Sequence, residues 1–236
     1  RPNSIAVVAL APGGSMYQPG PAFYMKKLAV PAAARNVVEL DAPPEVNLPR
    51  IAKALGKKVE DLVVFILDKP RHKEIIAAIR KAGARIQLHT DGDVAGVLMA
   101  VTPHTEVDVM MGTGGTPEGV IAAAAVKVLG GALLTKLDPQ SEEEKKNLLS
   151  LGYDLNQILT QDDLIRGDEV FFAATGISGG TFLKGVEHTG TGAITHSMIM
   201  RGKTGTVRFL ESHHNFERLM KFSAIEYTDL KEAAVR

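Results

Sequence analysis

The sequence predicts an α/β fold with some α+β character, and two observations carry that prediction. From about residue 46 onward, apolar runs of strand length alternate with segments of helix length, the rhythm of a sheet layered with helices. On either side of that stretch the apolar runs are bounded by proline and glycine and read as antiparallel strands. The expected division is therefore residues 1–45 with 188–212 as an antiparallel-sheet part, residues 46–187 as the α/β part, and residues 213–236 as a peripheral tail.

In chain order, residues 4–10 (SIAVVAL) form a buried strand between Pro2-Asn3 and Pro12-Gly13-Gly14. Residues 16–17 and 23–30, separated by Pro19-Gly20-Pro21, are its expected partners in an antiparallel meander, with Tyr24 in the second. Residues 48–55 read as a short helix with Pro49 in its first turn and Gly56 as its stop. Strand 62–67, helix 72–82, strand 85–89, helix 94–101 and strand 107–111 follow. A loop of residues 112–116 leads to a helix opened by Pro117 and ended by Gly130-Gly131. Beyond it come strand 131–137, a surface helix over 139–151 that runs from acidic to basic, and strand 169–174 (EVFFAA). The last two strands, 194–200 and 206–210, flank a hairpin-like turn at 201–205.

At 236 residues, 45% hydrophobic and 23% charged, the chain has the composition of a soluble globular protein. Its 27 basic and 27 acidic residues cancel, so there is no global field for nucleic acid or an anionic membrane. The apolar runs are too short to span a bilayer. With no cysteine, disulfides, thiolate metal sites and thiol catalysis are excluded. The seven histidines show no metal-ligand spacing. A cytoplasmic protein that self-associates into a homo-oligomer is expected.

The chemistry gathers where strands give way to helices. Residues 106–131, EVDVMMGTGGTPEGVIAAAAVKVLGG, read as strand, glycine loop and helix, a unit that aims backbone N–H groups and a positive helix end at one spot. That suits a phosphate. Glu118 would repel a phosphate alone but help to bind one through a divalent cation. Two other readings compete: a structural turn, or a dinucleotide fingerprint built on Gly112 and Gly114 with Asp138 further on. The third glycine of that fingerprint falls on Pro117, which weakens it. The two preceding junctions carry Lys69, Pro70 and Arg71, then Asp91, Gly92 and Asp93. Arg71 offers a fork for phosphate oxygens and Lys69 a point charge; the aspartates suit sugar hydroxyls or a metal. Ligands of open α/β sheets sit outside the carboxyl ends of strands, so these loops are expected to share one crevice.

The stretches PNSIAVVAL, KPRH, DGDVAGVL, the 106–131 block, DEVFFAATGISGG and ITHSMIMRGKTGTVR together resemble a class II fructose-1,6-bisphosphatase of the lithium-sensitive phosphatase superfamily. The resemblance runs from the first residue to about His214. It implies a layered αβαβα fold and hydrolysis of the 1-phosphate of fructose-1,6-bisphosphate with Mg²⁺ or Mn²⁺, in gluconeogenesis or Calvin-type metabolism. Some relatives also take sedoheptulose-1,7-bisphosphate. By motif, Glu118 resembles the family's metal-ligating glutamate. Tyr24, Lys69 to Arg71, Asp91 to Asp93 and Gly115 fall on its substrate-contacting positions. The family's other metal carboxylates and its catalytic threonine lie upstream of the strand that begins near Pro2. The chain is thus expected to match the C-terminal two-thirds of the enzyme, and its catalytic residues to lie outside it. The alternatives to a phosphatase are a sugar-phosphate-binding fragment without chemistry and a nucleotide-cofactor oxidoreductase.

Overall fold

The computed structural model describes residues 4–223. Strands β1 (Ile5–Leu10) and β2 (Tyr24–Val30) precede helix α1 (Pro44–Leu55). Then β3 (Val63–Leu67), α2 (Lys73–Ala82), β4 (Arg85–His89), α3 (Asp93–Val101), β5 (Val109–Gly115), α4 (Thr116–Leu129) and β6 (Ala132–Leu137) alternate. The chain continues through α5 (Glu142–Ser150), β7 (Leu159–Thr160), α6 (Gln161–Leu164), β8 (Phe171–Gly176) and β9 (Glu187–Thr189). It closes with β10 (Gly192–Arg201), β11 (Thr206–Asn215) and α7 (Phe216–Leu219). The α/β class expected from the sequence holds.

The strands form two sheets. One has the order β4-β3-β5-β2-β6-β7, with β3 parallel to β4 and β5 and with β2 antiparallel to both β5 and β6. The other is antiparallel, in the order β1-β8-β10-β11 with β9 on β10. Helices α1 and α2 cover one face of the first sheet, packing Leu48, Ile51 and Ile79 into a core with Leu28, Val64 and Ile66. On its other face lie α3 and α4, and α4 also packs against β1, β8 and β10 of the second sheet. That position explains the composition of α4. A helix covered on all sides has no polar face to show, and its buried run Ala122–Ala125 lets two sheets approach it closely. The layers thus run α, β, α, β. The outer face of the second sheet exposes Val8, Leu10 and Phe171 by 42–59%.

Four expectations are corrected. The meander of β1 with residues 16–17 and 23–30 does not form: β1 pairs with β8, β2 pairs with β5 and β6, and Met16 makes only a single bridge to Ile165. The burial patterns give the reason. In β1 every second residue is exposed, as suits an edge strand of a half-covered sheet, whereas β2 is buried along most of its length and belongs at a sheet centre. Sheet membership therefore crosses the expected segment boundaries at β2 and again at β8. Helix α1 begins at Pro44, four residues earlier than expected, because Pro44 is the opening proline and Pro49 lies inside the helix. The helix expected over 139–151 starts at Glu142, where the Ser141 side chain accepts from the Glu144 N–H. Of the expected tail, His213 to Asn215 still belong to β11, and residues 224–236 lie outside the described residues.

Candidate active site

The carboxyl ends of β3, β4 and β5 open into a cleft of about 990 Å³. After β3, Lys69 and Arg71 line it; after β4, Asp91, Gly92 and Asp93; after β5, Gly115 and Glu118, with Tyr24 of β2 alongside. Of the residues that the resemblance assigned to substrate or metal, Pro70 alone is not among those lining the cleft. It opens the 3-10 turn Pro70–His72 and so sets the direction of Arg71.

Arg71 is held from two sides. Its Nε and Nη2 donate to the Thr113 carbonyl at 3.2 and 3.0 Å, and its guanidinium lies over the Tyr24 ring, 4.8 Å from the centroid. Nη1 is left without a protein partner among the described residues. Tyr24 in turn is fixed by its place opposite Gly115 in the ladder. The basic and acidic loops meet directly, with Lys69 Nζ 3.2 Å from Asp91 Oδ1 and both side chains partly exposed. Gly92 caps α3 with φ of 95°, a left-handed conformation that glycine adopts without strain.

The expected glycine loop is mostly not a loop. Strand β5 runs through Gly115, paired residue by residue with β2 from Met111↔Leu28 to Gly115↔Tyr24, and α4 starts at Thr116. Its backbone donors are partly claimed: the Thr113 N–H donates to His72 and the Thr116 N–H to the Phe23 carbonyl. The glycines serve close approach rather than a turn. A Cβ on Gly114 would collide with the Asp93 carboxylate. The helix end that faces the cleft is therefore the first turn of α4, where exposed Glu118 sits.

Two polar residues that organise this region escaped the sequence reading. His72 is buried, with Nδ1 2.7 Å from the Leu67 carbonyl and Nε2 2.8 Å from the Thr113 nitrogen. Because the Thr113 N–H can only donate, Nε2 accepts and Nδ1–H donates, so this imidazole is neutral. Burial pushes its pKa below the ordinary histidine value, and the Arg71 charge adds to the shift. Lys27 is the second. Its ammonium is sealed beneath the cleft against Asp93 and the Gly115 carbonyl.

As a metal centre the site fits in kind but not in number. Glu118 is a hard oxygen ligand, yet among the described residues no group of three or more His, Cys, Asp or Glu side chains is placed to hold a metal ion. A hard cation takes six or more oxygen ligands, so one carboxylate does not complete its shell.

Residues 1–214 match the sequence model of the family described as bacterial fructose-1,6-bisphosphatase, glpX-encoded. The chain is 40% identical over 232 residues to fructose-1,6-bisphosphatase class 2 of Haemophilus influenzae, covering 93% of this chain and 69% of that protein. It is 38% identical over 237 residues to D-fructose 1,6-bisphosphatase class 2/sedoheptulose 1,7-bisphosphatase 2 of Acaryochloris marina, covering 95% and 68%. The corresponding protein of Trichodesmium erythraeum is 38% identical over 227 residues, covering 91% and 66%. The chain thus spans about two thirds of the length of these relatives. It belongs to the bacterial class 2 fructose-1,6-bisphosphatases, a family of metal-dependent phosphatases.

Proposed function

We propose that the cleft binds a sugar bisphosphate and serves hydrolysis of the 1-phosphate of fructose-1,6-bisphosphate. The observation that supports this best is the meeting, in one cleft, of a cationic loop, an acidic loop and the first turn of a long helix. A sugar with a phosphate at each end needs anion-binding groups at two places and hydroxyl acceptors between them. Arg71, with Nη1 unspent, and Lys69 are suited to a phosphate; the Tyr24 ring supports Arg71 from below. Asp91 and the backbone at Gly92 are suited to hydroxyls, and Asp93 supports them from a buried position. Gly115 lies against the second phosphate, at the start of α4. Glu118 is the side chain proposed to meet the divalent cation, Mg²⁺ or Mn²⁺, and no catalytic residue is assigned within the chain.

Two of the relatives carry sedoheptulose-1,7-bisphosphatase in their names, which makes that sugar the second substrate proposed. Among the described residues no helix is long and apolar enough to cross a membrane, and a cytoplasmic homo-oligomer is proposed.

The alternative, narrower reading of the same cleft is sugar-phosphate binding without chemistry. Calorimetric titration with fructose-1,6-bisphosphate, with and without Mg²⁺ or Mn²⁺ and followed by a phosphate-release assay, separates the two. Saturable bisphosphate binding with metal-dependent release supports the full reading, and binding without release supports the narrower one. Saturable NAD binding with none for sugar bisphosphates would overturn both.

A further inference from the structure

Lys27 stands in the middle of β2 with its side chain only 1% exposed. Its ammonium lies 2.5 Å from Asp93 Oδ2 and donates to the Gly115 carbonyl at 2.7 Å. Asp93 spends its other oxygen, Oδ1, on the Val94 N–H at 3.0 Å. Glycine at 119 leaves space for both neighbours on this face: a Cβ there would collide with Met25 Sδ and press on Lys27 Cε at 3.2 Å. Three segments distant in sequence, β2, the start of α3 and the β5–α4 junction, thus converge on one charge.

A lysine buried this deeply offers almost no surface to a ligand. Stability alone does not account for it either, since a buried ion pair is often no better than apolar side chains of the same volume. What distinguishes Lys27 is the identity of its partners. Asp93 ends the acidic loop and Gly115 begins the turn that carries Glu118, so the two bonds tie one wall of the cleft to another.

We propose that Lys27 is a positioning residue that fixes the spacing between the Asp91–Asp93 loop and the Gly115–Glu118 turn, and through it the ability of the cleft to hold both ends of a sugar bisphosphate at once. This rests on the sugar-bisphosphate reading of the cleft. Inorganic phosphate needs only one end of such a site and a bisphosphate needs both. A spacing defect therefore discriminates between the two ligands, whereas a general loss of structure does not.

The test is calorimetric affinity for fructose-1,6-bisphosphate and for inorganic phosphate in the wild type, Lys27→Met, Asp93→Asn, the double variant and Gly119→Ala, with circular dichroism to establish folding. Lys27→Met is expected to bind the bisphosphate at least about tenfold more weakly while phosphate affinity changes little, a loss in proportion to small misplacements at preorganised sites. The double variant is expected to bind no more weakly than Lys27→Met, because both changes release the same tie. Should Lys27→Met not fold, Gly119→Ala carries the test, since it keeps both charges while crowding the Met25 sulfur and, beside it, the lysine stem; the same selectivity loss is expected in smaller degree. Equal loss for the two ligands, or unchanged bisphosphate affinity in the folded variants, overturns the proposal. A wild type that binds phosphate but no bisphosphate overturns the functional reading, and this proposal with it.

Discussion

The Asp91-Gly92-Asp93 loop carries two aspartates two residues apart, and each meets a lysine from another segment. Asp93 meets Lys27 at 2.5 Å with side chains 10% and 1% exposed; Asp91 meets Lys69 at 3.2 Å with side chains 43% and 31% exposed. The residue types are the same and the physics is not. In the wet pair, water takes over when the bond breaks, so breaking it costs little. In the sealed pair burial leaves solvent little access to the bond, so separation strands two charges in a poor solvent. Burial thus divides one loop into a part sealed in the protein and a part open to solvent.

The sharpest way to break the comparison is to break the sealed pair. Lys27→Ala should cost about 3–5 kcal/mol in urea unfolding, the usual consequence of stranding a buried charge. Replacing both partners, Lys27→Met with Asp93→Leu, should recover much of that loss, because the desolvation of Asp93 disappears along with its partner. A single variant that unfolds at the wild-type urea concentration would show that water reaches this pair, and the contrast with Asp91 would vanish.

Arg71 stands between the extremes, with two nitrogens anchored to the Thr113 carbonyl and a third unspent. Arg71→Ala should weaken fructose-1,6-bisphosphate binding by roughly 1.5–3 kcal/mol, one to two decades in Kd, the size of a charge-assisted contact. Unchanged affinity with a lower melting temperature would instead make Arg71 a brace for β5.

How far this division was legible in the sequence follows the same line. The helix-layered sheet and the three polar junctions could be read because each rests on local signals, namely apolar runs, opening prolines and stopping glycines. The residues on those junctions that line the cleft could be named for that reason. What could not be read depends on non-local partners. Gly112 to Gly115 look like a loop until β2 lies beside them and makes them a strand. Lys27 in YMKKLAV shares its face with Met25 and Ala29, both fully buried, so period-two alternation hinted at a buried lysine. Only Asp93, 66 residues away, explains why such a lysine is tolerated. His72 gave no signal at all, since its role is set by a backbone N–H 41 residues distant.

The scaffold can also be loosened without mutation. His72 is neutral in the folded protein, its pKa lowered mainly by burial, whereas in the unfolded chain it titrates near the ordinary value of about 6.5. Below that pH the unfolded chain takes up the proton first. The contribution of His72 to stability is therefore complete above about pH 6.5 and is lost as pH falls through the lowered folded value. Urea midpoints measured downward from pH 8 should stay level and then decline. In His72→Gln, whose amide can both accept from Thr113 and donate to Leu67, the decline should be shallower. His89, lowered by burial as well, accounts for a remaining slope of the same sign. A decline as steep as the wild type would mean that protonation of His72 does not reach the β5 scaffold.

The smallest effect is expected at the wet pair, where the comparison makes its riskiest claim. Lys69→Ala should change unfolding stability by no more than about 0–1 kcal/mol, because water replaces what the exposed ammonium gives Asp91. Its effect should appear in ligand affinity instead. Removing one cation from the cleft weakens bisphosphate binding, and by less as salt rises, since an exposed charge is screened within about 10 Å at 0.1 M. Calorimetry at low and high salt, on the wild type and Lys69→Ala, gives both numbers. If Lys69→Ala destabilises the fold as much as Lys27→Ala while leaving affinity untouched, then Asp91 and Asp93 do the same work, and burial is not what separates them.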